Sequence, residues 1–357
     1  MIQQSDDWYR PDIPRKELKE LMRRDDVKAL IDFGIWGMCL AASGYAAFVS
    51  VGSYWVIPAF FVYGTIYSSC DARWHDCAHG TPFKTRWLNE TFYLLCCLMN
   101  MKEGTFTRWS HTRHHTETIM TGLDPEIQVM RPADLRRVLL DFLWIPDAIQ
   151  MLRVMVVHAL GVPSKQAKEF VPQAEWRKMF WWSRVYLFIY ASMMVWSVWT
   201  RSWLPVLFFP LARLYAGWLH QIFSLTQHAG LAENVRDHRL NTRTVELNPV
   251  LRFLYFSMNY HIEHHKAQRD WPSDASPRRD ASMAPRLASL HNVLRNSTRR
   301  CSRNVRLCSP CGLPTSSIRG SSMLRRAFQP AARSPFCRRS RTVRRSRSVK
   351  RSLHRCE

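Results

Sequence analysis

The sequence predicts an all-α integral membrane protein, with about four transmembrane helices in two hairpins and a cytoplasmic helical cap that carries clustered histidines. Three observations predict it. Apolar stretches come in two pairs, each joined by a very short turn. The chain is polar and basic ahead of the first pair. The histidines collect beyond the apolar pairs rather than inside them.

Residues 1–28 carry Arg10, Arg15, Lys16, Lys19, Arg23, Arg24 and Lys28 and show no cleavable signal, which reads as a cytoplasmic flank before a first span. Residues 31–51 are apolar except for Asp32 at their start, and about 20 residues suit a spanning helix. Gly52 and Ser53 form the turn. Residues 54–69 are a second, shorter apolar stretch with Pro58 inside it. A hairpin with its tip on the far side then leaves the basic flank and Arg73 together on the cytoplasmic side. Residues 87–101 are apolar but only about 15 long, which predicts a re-entrant or interfacial segment. Residues 135–160 mix aliphatic side chains with Asp141, Asp147 and Arg153, predicting one amphipathic helix at the membrane surface.

Residues 180–199 and 204–225 form the second apolar pair around the turn 200–203. Trp181, Trp182, Trp196, Trp199 and Trp203 sit near its ends, as in an aromatic belt. Arg213 and His220 are costly at membrane depth, so their helix is expected to leave the lipid at one end or to face the protein interior. The alternative for all four stretches is a large soluble helical bundle. The mean hydropathy of −0.26 is low for a membrane protein, but a basic end depresses that average.

The formal net charge of +23 is unevenly placed. Residues 266–357 hold 23 Lys and Arg against 4 Asp and Glu, leaving 28 against 24 in the rest. The expected organisation is therefore a nearly neutral membrane domain over residues 1–265 and a basic, disordered tail over 266–357. A body of that balance gives no reason to expect a nucleic-acid partner. The ten cysteines fall in two groups. Cys39, Cys70, Cys77, Cys96 and Cys97 read as buried small apolar residues. Cys301, Cys308, Cys311, Cys337 and Cys356 lie in the tail. No disulfide framework is indicated, and the lone Cys308-x-x-Cys311 pair is weak support for zinc.

Fourteen histidines are present. Three clusters stand out: His75-Asp-Cys-Ala-His79, His111-Thr-Arg-His114-His115 and His261-Ile-Glu-His264-His265. His228 is an outlier in Gln227-His228-Ala-Gly. On a helix, residues three and four apart share a face, so each cluster can aim imidazoles at one point. Eight such rings, nine with His228, exceed what one metal ion takes, which implies two ions. Imidazole suits Zn, Cu, Fe and Ni, and closed structural zinc would need only four ligands. Nearby carboxylates suited to orient ligating rings are Asp71, Asp76, Asp124, Glu126 and Glu263. His158, His220 and His238 have no cluster partner. His158 reads as structural, and His220 and His238 as weaker candidates for supporting the ligands.

The boxes His75-Asp-Cys-Ala-His79-Gly, Trp109-Ser-His111-Thr-Arg-His114-His115 and Asn259-Tyr-His261-Ile-Glu-His264-His265 resemble those of the membrane fatty-acid-desaturase superfamily, as do Gln227-His228-Ala-Gly and Asn241-Thr-Arg-Thr. The likeness covers roughly residues 10–265. It implies two Fe ions held by His75, His79, His111, His114, His115, His228, His261, His264 and His265, with O2 as co-substrate. It implies conversion of an unactivated C–C bond to C=C, the hard chemistry belonging to the metals and its aim to the protein. Electrons must come from an external donor, for which a ferredoxin-like protein docking on a basic cytoplasmic face is the simplest candidate. It implies an integral protein of a bacterial inner membrane with the site on the cytoplasmic side.

Hydroxylation by the same site is the alternative outcome, and a non-redox metal-binding membrane protein the remote one. Long acyl chains are the usual substrates of the superfamily. The chain also resembles rhizobial members that act on small molecules, so an amino-acid-type metabolite is the alternative substrate. His261 at the start of the third box, in place of Gln, and the lack of a fused cytochrome b5 domain disfavour a front-end desaturase. After His265 the likeness stops at Lys266-Ala-Gln-Arg-Asp. The composition beyond resembles an out-of-frame translation of a GC-rich gene; the competing reading is a basic tail for anionic lipid headgroups.

Overall fold

The computed structural model describes Lys16 and residues 23–269 apart from 128 and 131, with side chains through His265. All described residues fall in the first of two units, Met1–Leu307. The tail cysteines, and nearly all of the basic N-terminal flank and tail, lie outside them. Among the described residues every regular element is helical.

Helix α1 (Asp26–Val49) starts where Asp25 accepts from the N–H groups of Val27 and Lys28. It is 24 residues long with a mean hydropathy of 1.3 over its most apolar window, and is the one described helix long and apolar enough to cross a membrane. It pairs with α2 (Val56–Ser68), which turns at Ser69 into α3 (Cys70–Ala78), the carrier of the first box. Helix α4 (Arg86–Met99) packs along α3, and α5 (Gly104–Thr116) carries the second box. Helices α6 (Leu135–Asp141), α7 (Ile145–Ala159) and α8 (Lys165–Phe170) lead to the long α9 (Trp176–Trp199). Then follow α10 (Leu204–Phe208), α11 (Ala212–Ala216), α12 (Trp218–His228), α13 (His238–Asn241), α14 (Pro249–Leu254) and α15 (His261–Arg269), the last carrying the third box.

Two expectations need correction. The stretch 204–225 is not one spanning helix. Phe209 is extended ahead of Pro210, as a residue before proline is driven to be, and the chain breaks again at Gly217, giving α10, α11 and α12. The stretch 135–160 is likewise two helices, because Trp144 adopts a left-handed conformation (φ 54°) just before Pro146. The other long helix, α9, carries Arg177, Lys178 and Arg184 near its start, and α2 has only 13 residues. The described helices therefore do not establish four spans.

Buried tyrosines tie the apolar helices together by donating to carbonyls: Tyr67 to Met99 (3.1 Å), Tyr186 to Leu94 (2.8 Å) and Tyr190 to Leu98 (2.7 Å). Arg73 does the same for the boxes. Its guanidinium is fully buried among Phe33, Trp36, Phe253 and Phe256. It donates to the Ser69 carbonyl (3.1 Å) and to those of Phe253 and Leu254 (3.4 and 3.5 Å). The first box is thereby tied to the turn that precedes the third.

Candidate metal centre

Each histidine cluster sits on an element whose local chemistry fixes it. Helix α3 places His75 in its last turn and ends at His79, where Gly80 takes the left-handed conformation (φ 66°) that releases the chain. Helix α5 is launched by Glu103, a buried carboxylate accepting from Thr105 N (2.9 Å) and Phe106 N (2.6 Å). His228 is the last residue of α12, and α15 begins at His261.

The nine rings converge as two groups. Ligand nitrogens of His75, His79, His111, His115 and His264 lie within 4.8 Å of one another, as do those of His114, His228, His261 and His265. The second and third boxes are each shared between both groups. Residues four apart differ by about 40° around a helix, whereas the member three along turns about 60° the other way. Hence His111 pairs with His115 and His261 with His265, while His114 and His264 each cross to the other group.

The closest approaches are between Nε2 atoms: His79 to His111 2.9 Å, His111 to His115 3.0 Å, His115 to His264 3.2 Å, His228 to His261 2.9 Å and His261 to His265 3.1 Å. Hydrogen bonds alone cannot account for this. The Nδ1 of His228 faces the Asn241 backbone carbonyl (2.9 Å), which only accepts. The neutral His228 ring therefore holds its hydrogen on Nδ1 and a lone pair on Nε2. A single hydrogen on His261 Nε2 could serve one of its two neighbours but not both. His75 Nε2 is buried with no hydrogen-bond partner among the described residues. Such convergent lone pairs are what a cation gathers. Two nitrogens bound at right angles, about 2.0–2.1 Å from one ion, stand about 2.9 Å apart, against about 3.3 Å for a tetrahedral pair. The spacings fit sites of higher coordination better than a closed tetrahedron.

Burial, reinforced by the other imidazoles, holds His75, His79, His115, His261, His264 and His265 well below the usual histidine range, so they are neutral donors. Burial and His114 push His228 down to about 3. His114 moves the other way: burial opposes its charge, but the Asp124 carboxylate outweighs that and raises it. Carboxylates orient several rings. Asp124 Oδ2 is 2.9 Å from His114 Nδ1, Glu126 Oε2 3.0 Å from His111 Nδ1, and Asp76 Oδ1 3.2 Å from His75 Nδ1. Burial disfavours the Glu126 carboxylate, yet His111 outweighs it and brings Glu126 down to about 2. Burial pushes Asp76 up to about 8. Asp124 also accepts from the N–H groups of Ile119, Glu126 and Ile127, so it shapes its loop and holds His114 at once. The Nδ1 atoms of His115, His261 and His264 are buried without an acceptor among the described residues.

Two of the carboxylates singled out from sequence sit elsewhere. Asp71 pairs with His220 (2.7 Å to Nδ1) and accepts from Trp74 Nε1 (2.9 Å). Buried Glu263 accepts from Thr244 Oγ1 (2.5 Å). His238 contacts the Asn241 side chain, and its ring lies 4.8 Å from that of His265. His158 binds Ser164 Oγ beside Phe106. Two contributors carried no signal as single residues: Thr118 beside His265 (3.4 Å), and Trp74, whose ring centroid lies 5.4 Å from that of His111; the Asn241 carbonyl under His228 belongs to the Asn241-Thr-Arg-Thr segment noted in the sequence. A cavity of about 550 Å³ reaches the centre, with His75, His111, His114 and His261 in its wall.

Comparison with known families matches the one described as "Fatty acid desaturase" to residues 52–270, more than half of the chain. Among curated proteins nothing matches.

Proposed function

Because this chain belongs to the fatty acid desaturase family, a membrane-associated family of oxidoreductases, we propose that it is a membrane-bound, O2-dependent di-iron desaturase that introduces a C=C bond into an acyl chain or acyl-like substrate. The observation that carries this reading is the convergence of nine imidazoles into two adjoining groups of nitrogen donors. The ligand set is His75, His79, His111, His115 and His264 for one ion, and His114, His228, His261 and His265 for the other. When bound, the irons would supply oxygen activation and hydrogen removal from an unactivated C–H bond, with electrons from an external ferredoxin-like donor.

The chain's own residues do the rest. Glu126, Asp124, Asp76 and the Asn241 carbonyl hold ring orientations, which raises the donor strength of each imidazole. Burial keeps His75, His79, His115, His228, His261, His264 and His265 unprotonated and the reacting atoms away from bulk water. The cavity presents the substrate to one side of the centre. The site faces the cytoplasm of a bacterial inner membrane.

Product analysis tests the reading. Lipid and polar extracts of cells with and without the gene should differ by a species lacking two hydrogens, formed only with O2 and a reductant. A species gaining one oxygen atom would make the enzyme a hydroxylase. A change confined to polar extracts would make its substrate a small amino-acid-type metabolite. An iron-loaded protein without either product would sink the proposal.

A further inference from the structure

The cavity that reaches the imidazoles also meets a second polar cluster. Asp71, buried near the start of α3, lies 2.7 Å from His220 Nδ1, 3.5 Å from Lys102 Nζ and 3.6 Å from an Arg213 nitrogen, and accepts from Trp74 Nε1 at 2.9 Å. One carboxylate thus faces two basic side chains and an imidazole. Arg213 is 0% exposed, and none of its three guanidinium nitrogens makes a hydrogen bond among the described residues. Its guanidinium lies 5.1 Å from the Trp144 ring. Asp71, Trp74, Lys102, Trp144 and His220 all line the cavity. Beyond the Asp71 carboxylate at 3.6 Å, this buried guanidinium with five donors has no hydrogen-bond acceptor among the described residues, so it is under-satisfied.

We propose that this cluster is a subsite for an anionic group on the substrate, a carboxylate or a phosphate, held by Lys102 on the cavity wall, with the guanidinium of Arg213 buried beside Asp71. Such oxyanions match the point charge of lysine, and the cluster holds one more basic side chain than a single aspartate can pair. Distance adds a second consequence, which rests on the desaturase reading. Lys102 Nζ stands 4.3 Å over the Trp74 ring, and that ring lies 5.4 Å from His111 and 5.8 Å from His75. Subsite and metal centre are therefore one indole apart. The C–H bond presented to the metals lies only a few bonds from the anionic group, not far along a long chain.

Calorimetric titration of the purified, iron-loaded protein with hexanoate, hexyl phosphate, hexanol and hexylamine tests the subsite. One of the anions should bind saturably and about ten-fold or more tighter than hexanol and hexylamine. The tighter of the two assigns the group as carboxylate or phosphate. Lys102→Met should weaken that anion by about ten-fold with hexanol binding unchanged, and Lys102→Arg should recover most of the loss. Hexanol binding as tightly as both anions overturns the proposal, as does unchanged anion affinity in Lys102→Met. Should Lys102→Met lose helicity or iron, the wild-type anion-to-alcohol ratio decides. Binding is read without turnover, so a protein that prefers an anion but makes no unsaturated product refutes the desaturase reading and leaves the subsite standing.

Discussion

His111 makes three contacts at once: its Nδ1 on Glu126 and its Nε2 against both His79 and His115. Replacing it with Ala should remove iron from the first group and abolish O2-dependent turnover, while the protein still inserts in the membrane; retained activity would strike His111 from the ligand set. His264→Ala should behave likewise, since His264 is the third box's only contribution to that group. Asp124 is a different case, because it touches His114 and three backbone N–H groups. Asp124→Ala should weaken iron binding about 10- to 100-fold, read by competition with a chelator, and Glu126→Gln should do less because the loop survives. The box histidines were legible because helical spacing alone puts them on one side. Their division into two groups was not, since it depends on how α3, α5 and α15 meet. Asp71 illustrates the limit: its position before the first box suggests support for a ligand, but its partners, Arg213 and His220, come from a distant part of the chain.

Helices were legible in type and not in length. Residues 204–225 read as one apolar span, yet Arg213 and His220 lie within them, and the structure reconciles the two. Breaking the stretch into α10, α11 and α12 lets both polar side chains turn inward onto Asp71, as the cost of exposing them to lipid demands. The composition of that stretch carried the warning; the proline and glycine that act on it were local signals hidden by its hydrophobicity. The packing of α11 against α2 is close. A Cβ on Gly64 would stand 2.5 Å from Ala216 Cβ and from the Tyr215 ring. Gly64→Val should therefore cost about 1–3 kcal/mol by overpacking, seen as a lower thermal midpoint in detergent. An unchanged midpoint would mean that these helices are further apart than described.

On the scale of the whole molecule, large apolar side chains stay exposed on α1 (Ile31, Met38, Phe48), α2 (Ile57, Val62) and α9 (Phe188, Val195, Val198). Water-soluble proteins seldom show so much, and lipid removes the penalty. The chain should stay in the membrane pellet through alkaline carbonate washing and be released by detergent; recovery in the wash would contradict membrane integration. The basic composition of residues 266–357 is tested separately by resequencing codons 260–275, where an unchanged frame would refute the frameshift reading.

Metal analysis of the chain purified from membranes decides whether two groups of imidazoles grip a pair of irons. Iron should be the metal, a pair per chain, with less in His111→Ala and His264→Ala. Zinc in place of iron, a single ion, or a content unmoved by those substitutions would contradict it.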